Sequence, residues 1–449
     1  MKPCRKHDGL ALSRAIGWLI DDGMFASLIR HGNTNWTFVP LVTMALCWAW
    51  GGEAGLQERF RSGLNILARL FPRCEWGQTY QGFLKILHTW SDRLRMIVKT
   101  RLRERMQHLV DPVNRIHGWI VMAVDGTRVA APRTDANLNY FNRPVRHRKK
   151  TRRKISAARR PQRQPATPQV WLTVVWHVGL GLLWDWRQGP TGSSERGHLR
   201  EMIPELPAGS LLVADAGFQG YEYWKSLLDQ GHSFVIRVAG QVRLLRGLGW
   251  ARQYENMVYL WPERACQRRD PPLALRLWEF HDGRQSWWLV TNVLETQRLP
   301  ARAIQEIYRR RWGVEIFLRG FKQTFGRDHL RSHSPQNVQL ELDWSLLGLW
   351  SLELLGVREL ISCGQSPHAL STAGVLRAIR QTLQAASLGC DLALFSRLAA
   401  IKHDGYRRRQ KAIRDWPRKR AADTIKGPVI SYASFQQFQA AQELWPHAA

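Results

Sequence analysis

Tyr308-Arg-Arg-Arg311-Trp-Gly-Val-Glu315-Ile-Phe-Leu-Arg-Gly-Phe-Lys322 is the stretch that organises the rest of this chain. Tyr308, Arg311, Glu315 and Lys322 stand at offsets 0, 3, 7 and 14. At about 100° per residue of α-helix, the four side chains fall on one stripe roughly 60° wide. One helix face then carries a carboxylate flanked by phosphate-binding donors. Such a face suits a metal on one side and a nucleic-acid backbone on the other.

Charge points the same way. The 449 residues carry a net +30, and an apolar content of 44% is enough for a real core. Residues 143–163 hold 11 basic side chains and no acid, and residues 402–420 hold 9 basic and 2 acidic. A positive field of this size calls for a polyanion, and nucleic acid fits best. A membrane is the competing polyanion. No run of about 18 apolar residues exists, neither end carries a lipidation signal, and MKPCRKHDG lacks a signal-peptide core. The expectation is a soluble, intracellular protein that is not associated with membrane.

The six cysteines form no C-x2-C pair, and no disulfide framework is expected in such a compartment. His329 and His333 are spaced i, i+4, but in the loop-like DHLRSHSP, so metal ligation there is not expected.

Along the chain, residues 1 to about 115 read as helices: SRAIGWLIDDGMFASLIRHG, PLVTMALCWAW, LQERFRSGLNILARLF and the long stretch ending MQHL. Strands follow at Gly118–Asp125, Val170–Val178, Gly209–Gly217 and His232–Val238, with helices from Ser194-Glu195 and from Tyr221. The class is therefore α/β. Residues 239–298 alternate short strand-like pieces with turn signals and read as a β-rich insertion. Helices return at about 301–323 and 337–362, before a basic, partly helical tail over 363–449. The boundaries are thus 1–115, 116–362 and 363–449. Whether the helical N-terminal unit contacts DNA is open from sequence.

Two apolar strands each end on an aspartate, Asp125 and Asp215. Strand ends of one sheet come close together, where α/β proteins build their sites. Two carboxylates so placed repel, and a hard divalent cation relieves them. Glu315 supplies a third. Two such ions can activate an oxygen nucleophile and stabilise the leaving oxygen at a phosphodiester.

At this point the chain resembles the bacterial insertion-sequence transposases of the DDE type, in the group marked by Tyr-x2-Arg-x3-Glu-x6-Lys. Val124-Asp125-Gly126-Thr127 is similar to the family's first-aspartate motif, and Leu211-Leu-Val-Ala-Asp215-Ala-Gly-Phe218 to its second. The resemblance covers roughly 118–340. It implies an RNase H-like catalytic core with a β-rich insertion. It also implies Mg2+, or Mn2+ in its place, on Asp125, Asp215 and Glu315 as catalytic residues. The partners implied are double-stranded DNA, both transposon terminal inverted repeats and target. Cleavage and strand transfer are the implied reactions, with Tyr308, Arg311 and Lys322 on DNA phosphate. Pairing two DNA ends implies a homodimer on DNA. Members with a hairpin pathway hold a flipped base on a tryptophan of the insertion. Trp287 occupies that place, with Trp288 as its rival, and an inward strand residue is the plainer reading of either.

Two other readings stay open from sequence. One is a non-catalytic DNA-binding protein derived from such an enzyme. The other is an RNase H-like nuclease or resolvase.

Overall fold

The apolar run Val121–Val124 is fully buried, and so is Leu211–Ala214. Runs without polar alternation need cover on both faces, so they lie in the middle of a sheet. In the computed structural model, which describes residues 10–29, 35–109, 114–142, 167–249, 254–281, 286–402 and 426–445, that sheet has ten strands. The basic segment 143–163, and all of 402–420 except Lys402, lie outside the described residues.

The strands are β1 (Val121–Ala130), β2 (Gln169–His177), β3 (Leu182–Gly189), β4 (Leu211–Ala214), β5 (Ser233–Val238), β6 (Arg243–Arg246), β7 (Met257–Leu260), β8 (Leu273–His281), β9 (Ser286–Thr291) and β10 (Val429–Tyr432). Their order is β10-β6-β7-β8-β9-β5-β4-β1-β2-β3. The central strands β1, β4 and β5 are parallel, whereas on one side β2 pairs antiparallel with β1 and β3 antiparallel with β2. On the other side β9 pairs antiparallel with β5, so the strands of 239–298 continue the same sheet.

Four helices precede the sheet: α1 (Ala11–Leu19), α2 (Phe38–Trp50), α3 (Leu56–Leu70) and α4 (Tyr80–Gln107). The chain then inserts α5 (Asp135–Phe141), α6 (Glu195–Met202), α7 (Tyr221–Asp229) and α8 (Glu263–Gln267) between strands. After β9 come α9 (Ala301–Arg310), α10 (Trp312–Arg319), α11 (Pro335–Ser362) and α12 (Thr372–Ser387). Helix α11 is buried all round from Leu340 to Val357, because α2 and α4 pack against it as well as β3 and α12. Gly348 allows this, since a Cβ there would fall 2.7 Å from that of Ala49. Arg327, only 3% exposed, ties the same junction by donating to the Ala49 carbonyl at 2.8 Å and to Ser345 Oγ at 2.7 Å. The N-terminal helices and the sheet thus share one apolar core.

Several expectations change. The first helix stops at Leu19, because the Asp21 side chain accepts the Met24 N–H and caps a new short turn, Asp22–Phe25. Strand β1 does not end at Asp125 but continues to Ala130 against β2. The tail is not only helical and basic. It returns as β10, parallel to β6 at the sheet edge. Cys74 is disulfide-bonded, against the expectation of none, while Cys47, Cys266, Cys363 and Cys390 are free. Among the described residues no helix is long and apolar enough to cross a membrane.

Candidate active site

The pairing of β1 with β4 runs from Val121↔Leu211 to Ala123↔Val213, and Asp125 and Asp215 each lie two residues beyond that last pair. Neighbouring strands stand about 4.8 Å apart, so the two aspartates begin from adjacent backbone positions. Each turns its carboxylate onto a nearby amide. Asp125 Oδ1 accepts the Gly126 N–H at 2.9 Å, and Asp215 Oδ1 accepts the Gly217 N–H at 2.8 Å. Burial raises the Asp125 pKa to about 6. The Gly126 amide and Arg311 oppose that shift, and the charges of Glu315 and Asp215 add to it. Asp125, Asp215, Glu315 and Arg311 therefore share one electrostatic neighbourhood.

Glu315 reaches this neighbourhood from α10. Gly313 lets the helix press onto the sheet, because any Cβ there would lie 2.2 Å from the Trp176 ring of β2. Arg311 sits between α9 and α10 and donates from Nη2 to Glu315 Oε1 at 2.7 Å. Its guanidinium also lies 5.6 Å from the centroid of the Tyr308 ring. Its buried Nε has no hydrogen-bond partner among the described residues. Burial pulls the Arg311 pKa down, and Tyr308, Glu315 and Asp125 more than offset this, for a net rise.

The stripe expected on one unbroken helix is divided in three. A turn at Arg311 separates α9 from α10, and a π-helical turn, Gly320–Thr324, carries Lys322. That wider turn shifts the phase of Lys322 relative to the first three residues. Lys322 is half-buried, and desolvation lowers its pKa against the opposing pull of Asp328.

Trp287 and Trp288 diverge, because successive strand residues point to opposite faces. Trp287 stacks on Tyr308, with centroids 5.5 Å apart and planes at 29°, and on Phe280 at 4.9 Å and 27°. Trp288 instead covers Gly427 of the returning tail, where a Cβ would meet its ring at 2.7 Å. Trp287 is the one on the face of the Tyr308 helix.

One carboxylate escaped the sequence reading. Glu195, at the start of α6, lies against Gly126, where a Cβ would fall 2.2 Å from its Oε1. Burial raises the pKa of Glu195, and the charges of Asp125 and Asp215 raise it further. The only sequence signal was an acid opening a helix, which ordinarily reads as a favourable interaction with the helix dipole.

The donor set, hard carboxylate oxygens in mutual repulsion, fits a hard divalent cation. Among the described residues, no three acidic, histidine or cysteine side chains are close enough to enclose an ion as they stand. Each carboxylate of the trio accepts a hydrogen bond from a neighbouring donor, the Gly126 amide, the Gly217 amide and Arg311 respectively.

Comparison with known proteins gives the family. The InsG transposase of the Escherichia coli (strain K12) insertion sequence element IS4 is 24% identical over 302 residues, 64% of this chain and 64% of that protein. The chain thus spans under two thirds of that relative's length. Among solved structures, a piggyBac transposase synaptic complex with hairpin DNA aligns over 87% of this chain and 82% of that one. Its TM-score is 0.40 and its identity 12%, a likeness too low to carry any argument. Residues 118–350, just over half of the chain, match the Transposase DDE domain family and contain Asp125, Asp215, Glu315 and the whole Tyr308–Lys322 stretch; the chain belongs to that family.

Proposed function

We propose that this protein is a transposase that binds the ends of its own insertion sequence, cuts them and joins them to target DNA. The observation that carries the reading is the β1–β4 register that starts Asp125 and Asp215 side by side, with Glu315, held by Arg311, near enough to act on Asp125. The strand set β3-β2-β1-β4-β5, three parallel strands flanked by an antiparallel pair, supports an RNase H-like core.

Asp125, Asp215 and Glu315 would hold Mg2+, with Mn2+ as a substitute. Bound there, the cation supplies activation of the attacking oxygen and charge relief at the leaving oxygen. The protein's own groups do the rest. Half-burial of Asp125 keeps the site partly shielded from water, which strengthens every charge interaction in it. Arg311 has a fork that matches a phosphate, and it becomes available once Glu315 turns away from it. Tyr308 and Lys322 add donors along the same backbone track. Trp287, on the Tyr308 side of the sheet, offers a ring to a base leaving the helix stack. Such a base has to enter the Phe280–Trp287–Tyr308 column, because Trp287 is already stacked there. Bringing two ends together calls for two copies of the chain on DNA.

The test uses linear DNA bearing the inverted repeats that flank the gene. With Mg2+ and the protein, nicks are expected at the repeat boundaries. Bound but uncut DNA would favour a DNA-binding derivative of a transposase. Cuts independent of the repeats would favour a structure-directed nuclease.

A further inference from the structure

We propose that Glu195 is a fourth carboxylate of this centre, a direct ligand of the divalent cation together with Asp125 and Asp215. The inference rests on the metal-dependent reading above.

The placement of Glu195 follows from how α6 docks. Gly126 of β1 pairs with Thr173 of β2, and partners across an antiparallel pair point to the same face. The buried Thr173 hydroxyl bonds His198 Nδ1 at 3.0 Å. Glu195 is three residues before His198, so both lie on one face of α6. Seating His198 on Thr173 therefore seats Glu195 over Gly126, immediately beside Asp125. Only a glycine leaves room, since Cγ, Cδ and Oε1 of Glu195 all lie within 2.8 Å of where a Cβ would stand.

A second tie fixes the other side. Arg196, next to Glu195, donates from Nε to the Gly217 carbonyl at 2.7 Å. The Gly217 amide is the group that holds Asp215. Helix α6 is thus fastened both to the Asp125 strand and to the Asp215 turn, with Glu195 between.

Glu195 feels the charges of Arg128 and Arg196 but, among the described residues, pairs with neither. Asp125 and Asp215 each accept a backbone amide, and Glu315 has Arg311. Among the described residues no hydrogen bond or ion pair reaches the Glu195 carboxylate. Its nearest cations are engaged elsewhere, Arg128 over the Trp171 ring and Arg196 on Gly217. An unpaired, half-buried carboxylate that feels the charge of two others is costly unless a cation joins them. Among the described residues it also has no partner to give up before it ligates.

The experiment titrates the full-length protein with Mn2+ alone, by calorimetry, with bound ions counted by electron paramagnetic resonance. Wild type, E195Q and D125N are compared, and each is also melted in EDTA. E195Q should bind Mn2+ roughly 10- to 100-fold more weakly than wild type, as D125N should. In EDTA, E195Q should melt no lower than wild type, because it loses repulsion and no contact. If E195Q binds Mn2+ like wild type while D125N does not, Glu195 is no ligand and the proposed function still stands. If wild type binds no Mn2+ at all, both readings fall. Weak Mn2+ binding together with a lower melting temperature in EDTA would assign Glu195 to the fold and overturn the proposal.

Discussion

Arg311 holds Glu315 at 2.7 Å across one helical turn, so the glutamate of the proposed trio is neutralised by the chain itself. An arginine in that position competes with a divalent cation for the same oxygen. It also has a second use, because the fork freed from Glu315 matches a phosphate. The two uses exclude each other, and the balance between them can be measured.

Arg311→Ala should therefore bind Mn2+ more tightly than wild type and cut DNA more slowly. Removing Arg311 abolishes a competitor and makes the site more negative. DNA binding by this variant should have a salt slope lower by about one, and Lys322→Ala should lose a similar amount. Weaker Mn2+ binding by Arg311→Ala would mean that the guanidinium builds the cation site instead of competing for it.

The pH dependence has a definite sign. Burial lifts Asp125 from the usual 3.8 to about 6. In the metal-free protein its ionised form is disfavoured by folding, so stability falls as pH rises between these values and levels off above the higher one. Asp125→Asn removes that dependence. Its melting temperature in EDTA, relative to wild type, should climb between about pH 4 and pH 6 and then stay constant. Protons compete with the cation over the same window, so Mn2+ affinity of the wild type should drop below about pH 6. A wild type and an Asn variant that track each other in EDTA would place Asp125 in an unperturbed setting.

Trp287 and Trp288 should separate cleanly. Trp287→Ala breaks the stack on Tyr308 and Phe280, worth about 0.5–1.5 kcal/mol per ring pair. It should also slow the steps that follow the first nick, leaving that nick nearly normal. Trp288→Ala should loosen the tail at Gly427 without that kinetic signature. The opposite pattern would move the base-stacking role to Trp288, and two inert variants would remove it from the mechanism.

The family was legible because its signal is local. Tyr308, Arg311, Glu315 and Lys322 lie within fifteen residues, and the two aspartates follow apolar runs that composition alone reveals. What escaped depends on distant partners. Strand β3 hides in LLWDWRQG, where Asp185 interrupts the apolar run; Lys99 of α4 neutralises it at 2.5 Å. Glu195 joins the site only because His198 finds Thr173 and Gly126 leaves a gap. The π-turn under Lys322 has no period that a sequence could display. Strand β10 needs β6 as a template, and its apolar residues read as tail until that partner is known.

Arg327 should prove the joint between the N-terminal helices and the sheet. It donates to Ala49, Ser345 and Phe325, and burial lowers its pKa to about 9. Arg327→Ala leaves those acceptors unpaired and should cost about 3 kcal/mol in urea denaturation. A loss below about 1 kcal/mol would show that the α2–α11 packing holds without it.

The central claim is that Asp125, Asp215 and Glu315 act as one centre for metal-dependent cleavage. The most direct measurement is the cleavage rate on end-bearing DNA in Mg2+ for wild type, Asp125→Asn, Asp215→Asn and Glu315→Gln, with DNA affinity measured in parallel. Each variant should lose about 100-fold or more in rate, since the cation supplies several kcal/mol at the transition state, and should bind DNA nearly as well as wild type. Wild-type cleavage persisting in EDTA, or any one of the three variants cutting at the wild-type rate, would contradict the account.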